Sequence, residues 1–430
     1  MSSSPKNLGF WSAVSIGIGG MIGAGIFSIL GVVAQVSGSA LPLSFIIGGV
    51  VAMLASYSYT KLGVRYPSVG GAVEFLVQGF GDGILCGALN IFQYIGYVIA
   101  IALYANGFAG YAITFLPSGT PPIFYKIFAV GVLLFFTAIN FLGNAVMGKA
   151  EMLIVAIKVI ILFAFVGAGV FFVHPASLSP QTWPEFSHIL FGAGVLFIGY
   201  EGFGLVTNAA GDMQNPRREL PRALYTAVFL VIIIYVSVSV TVIGNLSVPD
   251  LVAAKDYALA QAAKPFMGHF GFILISIAAL FSTSSAVNAT LFGAANVSYQ
   301  IAKEGELPAC FTRKIWDKNV EGLFITTALV IVFVLFFDLE PIAMMGSAAF
   351  LIIYAAVNAA HLRIYKKTGA NPIVIFLSML TCLMMFALLL VYMWRTQPRA
   401  ALLALGISLV GSFLLEAIYR KSRGRCLRVS

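Results

Sequence analysis

The stretch Gly17-Ile18-Gly19-Gly20-Met21-Ile22-Gly23-Ala24-Gly25-Ile26-Phe27 decides how this chain is read. It lies inside an apolar segment running from about Leu8 to Val36, long enough to cross a bilayer at roughly 20 residues per span. Glycines stand at 17, 19, 20, 23 and 25, where a plain anchor would carry leucines. Each costs about 1 kcal/mol against alanine in a helix, so a helix written this way is poised to open near its middle. An opened helix leaves N–H and C=O groups unpaired at membrane depth, which is tolerable only where they face protein or a wet cavity. Such groups can grip a small zwitterion, amides at a half-helix start taking its carboxylate and free carbonyls its ammonium or an ion. Close helix packing through small residues is the other reading.

The rest of the chain places that stretch in a polytopic membrane protein. Its residues are 60% hydrophobic and only 10% charged, where a soluble domain carries about 25% charge. Mean hydropathy is +0.97. Runs of spanning length predict twelve transmembrane helices, near 8–35, 41–62, 84–116, 122–143, 149–173, 187–210, 222–246, 268–301, 321–338, 341–364, 372–394 and 399–419. They leave no room for a soluble domain. The fold class expected is therefore an all-α integral membrane protein with the lipid bilayer as its main partner.

The +9 net charge does not signal nucleic acid. With the N-terminus inside, only Lys126, Lys255, Lys264, Arg395 and Arg399 fall on the outer side, and nineteen of the 25 lysines and arginines fall on the inner one. That is the asymmetry the positive-inside rule expects, and it puts both termini in the cytoplasm. Met1 to Asn7 is short and polar, unlike a cleavable signal. Cys86, Cys310, Cys382 and Cys426 are scattered and are expected as free thiols. His174, His188, His269 and His361 are dispersed, with no metal-ligand spacing and no phosphate loop. Gly17-Ile18-Gly19 follows no strand, so a dinucleotide site fails on context. An enzyme is not expected, nor a resident cofactor.

The sixth span repeats the opening theme with Gly192, Gly194 and then Gly199-Tyr200-Glu201-Gly202-Phe203-Gly204. It comes five spans after the first, so the two glycine-broken helices enter the membrane in opposite directions. That is the arithmetic of an inverted repeat, spans 1–5 against 6–10, with a site near the midplane between the broken pair. The expected units are 1–175, 176–368 and a C-terminal pair of helices with a basic tail, 369–430. Those last two spans carry no buried charge by this reading and serve as packing or as the face of a homodimer. Paired broken helices fit occlusion better than an open channel.

Two further spans carry chemistry. Lys158 stands in the middle of the fifth, too deep to snorkel comfortably from Lys149. A cation there costs about 2.5–3.5 kcal/mol even on insertion scales, and a buried lysine either finds acceptors or gives up its proton. The eighth span holds Ser282-Thr283-Ser284-Ser285. Four consecutive hydroxyls point around a whole helix, so at least one faces the bundle, although each alone back-bonds easily to its own helix. On the third span Gln93, Tyr94, Tyr97 and Tyr104 either line a pathway or pack as aromatics.

Several stretches together resemble the amino acid–polyamine–organocation superfamily. Gly23-Ala24-Gly25-Ile26-Phe27 is similar to its G-[SA]-G-I-F motif and Pro67-Ser68-Val69-Gly70-Gly71 to its P-x-A-G-G turn. Asn215-Pro216 with Pro221 is similar to its N-P-x-x-x-x-P loop, and Glu304-Gly305-Glu306-Leu307-Pro308 to its D-G-x-L-P helix end. They occur in family order across the first ten spans. Within the superfamily Lys158, with Trp11, Ala13-Val14-Ser15, Lys149-Ala150-Glu151 and Ala294 with Asn296-Val297, looks most like the proton-coupled amino acid transporters.

The resemblance implies the leucine-transporter-like fold, alternating access, proton-coupled amino acid symport (small or neutral substrates, broad specificity) and a place in the cell membrane. It implies that Lys158 reaches the carbonyl of Gly19 and the hydroxyl of Thr283, with the proton as coupling ion. It further implies that the substrate carboxylate meets amides around Ile22, Gly23, Ala24, Gly25 and Ile26. Gly199, Tyr200, Glu201, Gly202 and Phe203 would hold the ammonium and the side chain. Glu201 departs from the uncharged residue expected in the sixth-span break. A carboxylate there pairs with an extra cationic group on the substrate, carries a second proton, turns toward solvent, or caps the half-helix amides. An exchanger or importer of cationic amino acids or amines, with Glu201 as counter-ion, is the alternative.

Overall fold

The computed structural model describes residues 8–23, 25–68, 70–117, 119–142, 147–303, 305–312, 314–315, 319–320, 322–396 and 399–423. Apart from a two-residue antiparallel ladder, Lys314–Ile315 against Asn319–Val320, these are helices and their connections. In chain order they are α1 (Phe10–Met21), α2 (Gly25–Ser37), α3 (Leu41–Arg65), α4 (Ala72–Phe80), α5 (Ile84–Ala112), α6 (Ile123–Leu142) and α7 (Met147–Gly169). There follow α8 (Phe186–Leu196), α9 (Gly204–Asn208), α10 (Pro216–Asn245), α11 (Val248–Ala253), α12 (Ala258–Lys303), α13 (Gly322–Phe336), α14 (Leu339–Thr368), α15 (Pro372–Thr396) and α16 (Arg399–Arg423).

Ten of the described stretches are long and apolar enough to cross a membrane. The first, Phe10–Arg65, contains α1 to α3, and α13 is a further apolar helix of 15 residues. Local chemistry sets the boundaries. Prolines begin α10 and α15, where a missing N–H costs nothing. Ser247 caps α11 by accepting from the Asp250 amide at 3.3 Å. Gly369, left-handed at φ +62°, stops α14. α12 is interrupted at Gly268, where φ is +62° and ψ −155°, so the piece Ala258–Met267 precedes the span expected from 268.

The helices sort into an inner and an outer set. The most apolar stretches of α5 and α14 are 83% buried, against 28% for α15 and 22% for α16. Between the inner helices, α1 packs on the segment Phe197–Phe203 and α2 on α8, while α3 packs on α10 and α5 on α12. α15 and α16 lie outside this inner set, with Ile407 and Ile418 exposed.

One expectation for them fails. Glu416 of α16 is fully buried, and Arg420 one turn on bonds it at 2.5 Å while also pairing with Asp82 between α4 and α5. An acid near the end of an apolar run reads as edge-of-membrane, and only the fold brings Asp82 to the Glu416–Arg420 pair. Cys86, Cys310 and Cys382 are free thiols, as expected, and Cys426 lies outside the described residues.

Candidate functional site

The site begins where α1 stops. Ile22 closes the helix, its amide donating to Ile18 at 2.8 Å, and Gly23 turns before α2 starts at Gly25. Ala24 lies outside the described residues. The carbonyls freed here cannot turn to water at this depth, so other helices satisfy them. The Ser282 hydroxyl of α12 donates to the carbonyls of Ile22 at 2.8 Å and Gly23 at 2.7 Å. The Tyr235 hydroxyl of α10 donates toward the carbonyl of Met21 at 2.5 Å and that of Gly199 at 3.0 Å. One phenol thus stands between both glycine-rich segments.

The sixth span does not gape. Between α8 and α9 the residues Phe197–Phe203 wind as a tighter 3₁₀ helix, a form that in mid-helix often marks a hinge. Ser347 of α14 splints its start, donating to Val195 at 2.7 Å and accepting from the Ile198 amide at 2.9 Å. The glycines let the two segments touch through their backbones. A Cβ at Gly25 would stand 2.2 Å from the Tyr235 hydroxyl and 3.0 Å from Gly199. Interrupted helix and close packing therefore hold together: the interrupted segments are the ones that pack closely.

Of the side chains in this segment, Tyr200 points away, its hydroxyl donating to Phe45 of α3 at 2.9 Å. Phe203 packs on Tyr354 with ring centroids 4.9 Å apart. Glu201 is buried. Its carboxylate accepts from Tyr104 of α5 at 3.0 Å and its backbone carbonyl from Tyr354 of α14 at 2.7 Å. Among the described residues the ion pairs are Lys126–Asp338, Lys255–Glu340 and Arg420 with Asp82 and Glu416, so no cation is paired with Glu201.

Lys158 faces inward. Val155, Lys158, Leu162 and Phe165 form the buried stripe of α7 at helical spacing, while Leu153, Ile157, Ile160 and Phe163 look outward. Its side chain is 1% exposed, and Nζ donates to the Gly19 carbonyl at 3.1 Å. Thr283 is buried close by in sequence to Ser282, but its hydroxyl donates to Ala279 of its own helix at 2.7 Å. It can meet an ammonium only as an acceptor. Ile22 and Ile26 are fully buried at the interruption of the first span.

Residues 8–410 match the amino acid permease family. The chain belongs to the amino acid permease family. The permease is 44% identical to an uncharacterized protein of Methanocaldococcus jannaschii, over 98% of this chain and 97% of that one. It is 34% identical to the inner membrane transport protein YbaT of Escherichia coli, over 96% and 95%. It is 28% identical to the chloroplastic cationic amino acid transporter 9 of Arabidopsis thaliana, over 72% and 57%. The permease is thus a multi-pass membrane transporter and not an enzyme.

Sequence reasoning missed several residues that build this site. Ser282 was one of four equivalent hydroxyls, and only helix rotation in the fold selects it. Tyr235 and Ser347 sit in apolar runs that carry no other mark. Tyr104 stands out in sequence only as one of several aromatics on the third span, because its partner Glu201 is 97 positions away in the permease.

Proposed function

We propose that the permease is a proton-coupled amino acid symporter of the cell membrane, carrying small or neutral amino acids with broad specificity by alternating access. The observation that carries this reading is the Lys158 ammonium on the Gly19 carbonyl. A charge-assisted hydrogen bond of this kind ties α7 to the interrupted first span. Losing the proton removes the charge and frees α1 to move, so occupancy of the amine becomes position of the helix. Thr283 would accept from the same amine. Amides from Gly23 to Ile26, at the start of α2, would take the substrate carboxylate. Backbone from Gly199 to Phe203 would take the ammonium, leaving the side chain against Glu201 and Phe203.

Counting α1–α2 and α3 apart, and α13 as a span, gives twelve. The packing of the first span on the sixth, the second on the seventh and the third on the eighth supports an inverted repeat, since each lies on its counterpart five spans along. The uneven distribution of lysines and arginines along the sequence supports cytoplasmic termini. The exposed apolar faces of α15 and α16 support a homodimer through them. The test is uptake of radiolabelled alanine into sodium-free proteoliposomes with and without an inward proton gradient. Gradient-driven accumulation is expected; flat uptake that appears only after preloading would mean obligatory exchange.

One observation favours a second reading. Glu201 is a buried carboxylate with no cation paired to it among the described residues, and buried charges are usually paired. A cationic amino acid or amine would supply the missing partner. The name of the Arabidopsis relative agrees with that class of substrate.

A further inference from the structure

Beside Glu201 lies a small cavity of about 10 Å³. Tyr59 of α3, Gln93 and Tyr97 of α5, Glu201, Asn208 of α9 and Tyr354 of α14 supply its polar lining. No lysine, arginine or histidine lines it, and the titratable groups around Glu201 are Tyr59, Tyr97, Tyr104 and Tyr354. Gln93 is 2% exposed and its Oε1 has no hydrogen-bond partner among the described residues. A buried acceptor left so costs about 1–3 kcal/mol.

Gln93 Oε1 accepts only, and so does an ionised Glu201. Two acceptors on one cavity are reconciled by a molecule with two donor hydrogens, and room of this size holds one water. Donating to both, that water keeps lone pairs free to accept from the Tyr97 hydroxyl. Three partners is the usual number for a buried water. The position is directional as well. α5 runs inward from Ile84, so Gln93 lies nearer than Tyr104 to the face that also holds Arg65 and the end of α9.

We propose that this cavity is a one-water site joining Gln93, Tyr97 and Glu201, and that it is the route by which Glu201 exchanges a proton with the basic face. The O–H bond of protonated Glu201 breaks, its proton joins the water, and a second proton of that water leaves past Asn208. The carboxylate left behind accepts from Tyr104 and from the water. Gln93 is a positioning residue, fixing the water and carrying no proton itself. This rests on the proton-coupled reading and adds a second, inner proton station to Lys158.

The test uses the full-length protein in right-side-out vesicles, with internal pH varied from about 6 to about 8 at constant external pH. Wild type should take up alanine faster as internal pH rises. Gln93→Leu should flatten that response and slow net uptake roughly ten-fold, a modest value for a lost proton-transfer arrangement. Alanine–alanine exchange, which needs no proton release, should stay within about two-fold of wild type. Gln93→Glu, which keeps an acceptor on the water, should restore the response. If Gln93→Leu keeps the wild-type internal-pH profile, the water route is overturned while proton coupling stands. If wild type has no internal-pH response and no gradient-driven uptake, the coupling reading itself fails. Should Gln93→Leu lose exchange too, the decision passes to Gln93→Glu: a wild-type profile supports the route and a flat one overturns it.

Discussion

Gly20 and Gly202 meet backbone to backbone: a Cβ on Gly202 would stand 2.2 Å from the carbonyl carbon of Gly20. A methyl group there has nowhere to go, because what it strikes is main chain. Gly202→Ala should push the first and sixth spans apart, at about 1–3 kcal/mol of overpacking, and abolish substrate-induced thermal stabilisation. Gly204→Ala is the control, since its Cβ would come no nearer than 3.5 Å to the Tyr59 ring. It should retain uptake. Equal damage from both would mean that the contact between the segments is not what matters.

Lys158→Ala removes the donor to Gly19 and leaves a buried carbonyl to find another partner, at about 1–3 kcal/mol. The protein should remain folded by gel filtration, and its uptake should lose its dependence on external pH. An unchanged pH profile would remove Lys158 from the coupling step.

Ser282 and Thr283 are adjacent hydroxyls with different duties. Ser282 serves two carbonyls of the interrupted first span and Thr283 only carbonyls of its own helix. Ser282→Ala should therefore weaken apparent substrate affinity and lower the melting temperature more than Thr283→Val does. The reverse order in a matched pair of melting curves would show that the freed carbonyls are satisfied some other way.

Glu201 separates the two substrate readings. If it is a counter-ion, arginine, putrescine or ethanolamine should compete with alanine uptake in wild type, and Glu201→Gln should erase that competition about ten-fold or more, the scale of a buried charge pair losing one partner. If none of them competes in wild type, the cationic reading is finished.

Glu306, in the turn after α12, is buried and accepts from Asn90 at 2.8 Å. Burial raises its pKa from 4.5 to about 7, with Glu416 and Asp82 adding to the rise and the Asn90 bond and Arg420 opposing it. The folded state therefore holds this proton more tightly than the unfolded one, and stability falls as pH climbs from the unfolded value through about 7. Glu306→Gln should raise the melting temperature at pH 8, by up to about 3 kcal/mol of relief, and change little at pH 5. A pH-independent effect would show that ionisation of Glu306 is not the cost.

Much of this architecture is legible from residues. The glycine runs at 17–25 and 199–204 mark both interrupted spans, and Lys158 could not have been a lipid-facing side chain. Rotation about a helix axis is not legible. That is why Ser282 could not be told from Ser284, and why a phenol at 235 gave no sign of bridging the segments. Nor does an apolar run announce that its last acid turns inward, as Glu416 does. Whether a glycine-rich helix opens or tightens depends on which neighbours reach its carbonyls, and those neighbours come from spans far along the chain.

The tightening of Phe197–Phe203 has a mechanical meaning. A 3₁₀ helix rises about 2.0 Å per residue and an α-helix about 1.5 Å. Over these seven residues the difference comes to roughly 3.5 Å of reserve length. Rewinding would draw α9 toward α8 by that amount and turn it, with no hinge swinging and no backbone group surrendered to lipid. The winding of the sixth span thus holds that length in hand, and the Ser347 hydroxyl, bonded to Val195 and Ile198, ties its start to α14.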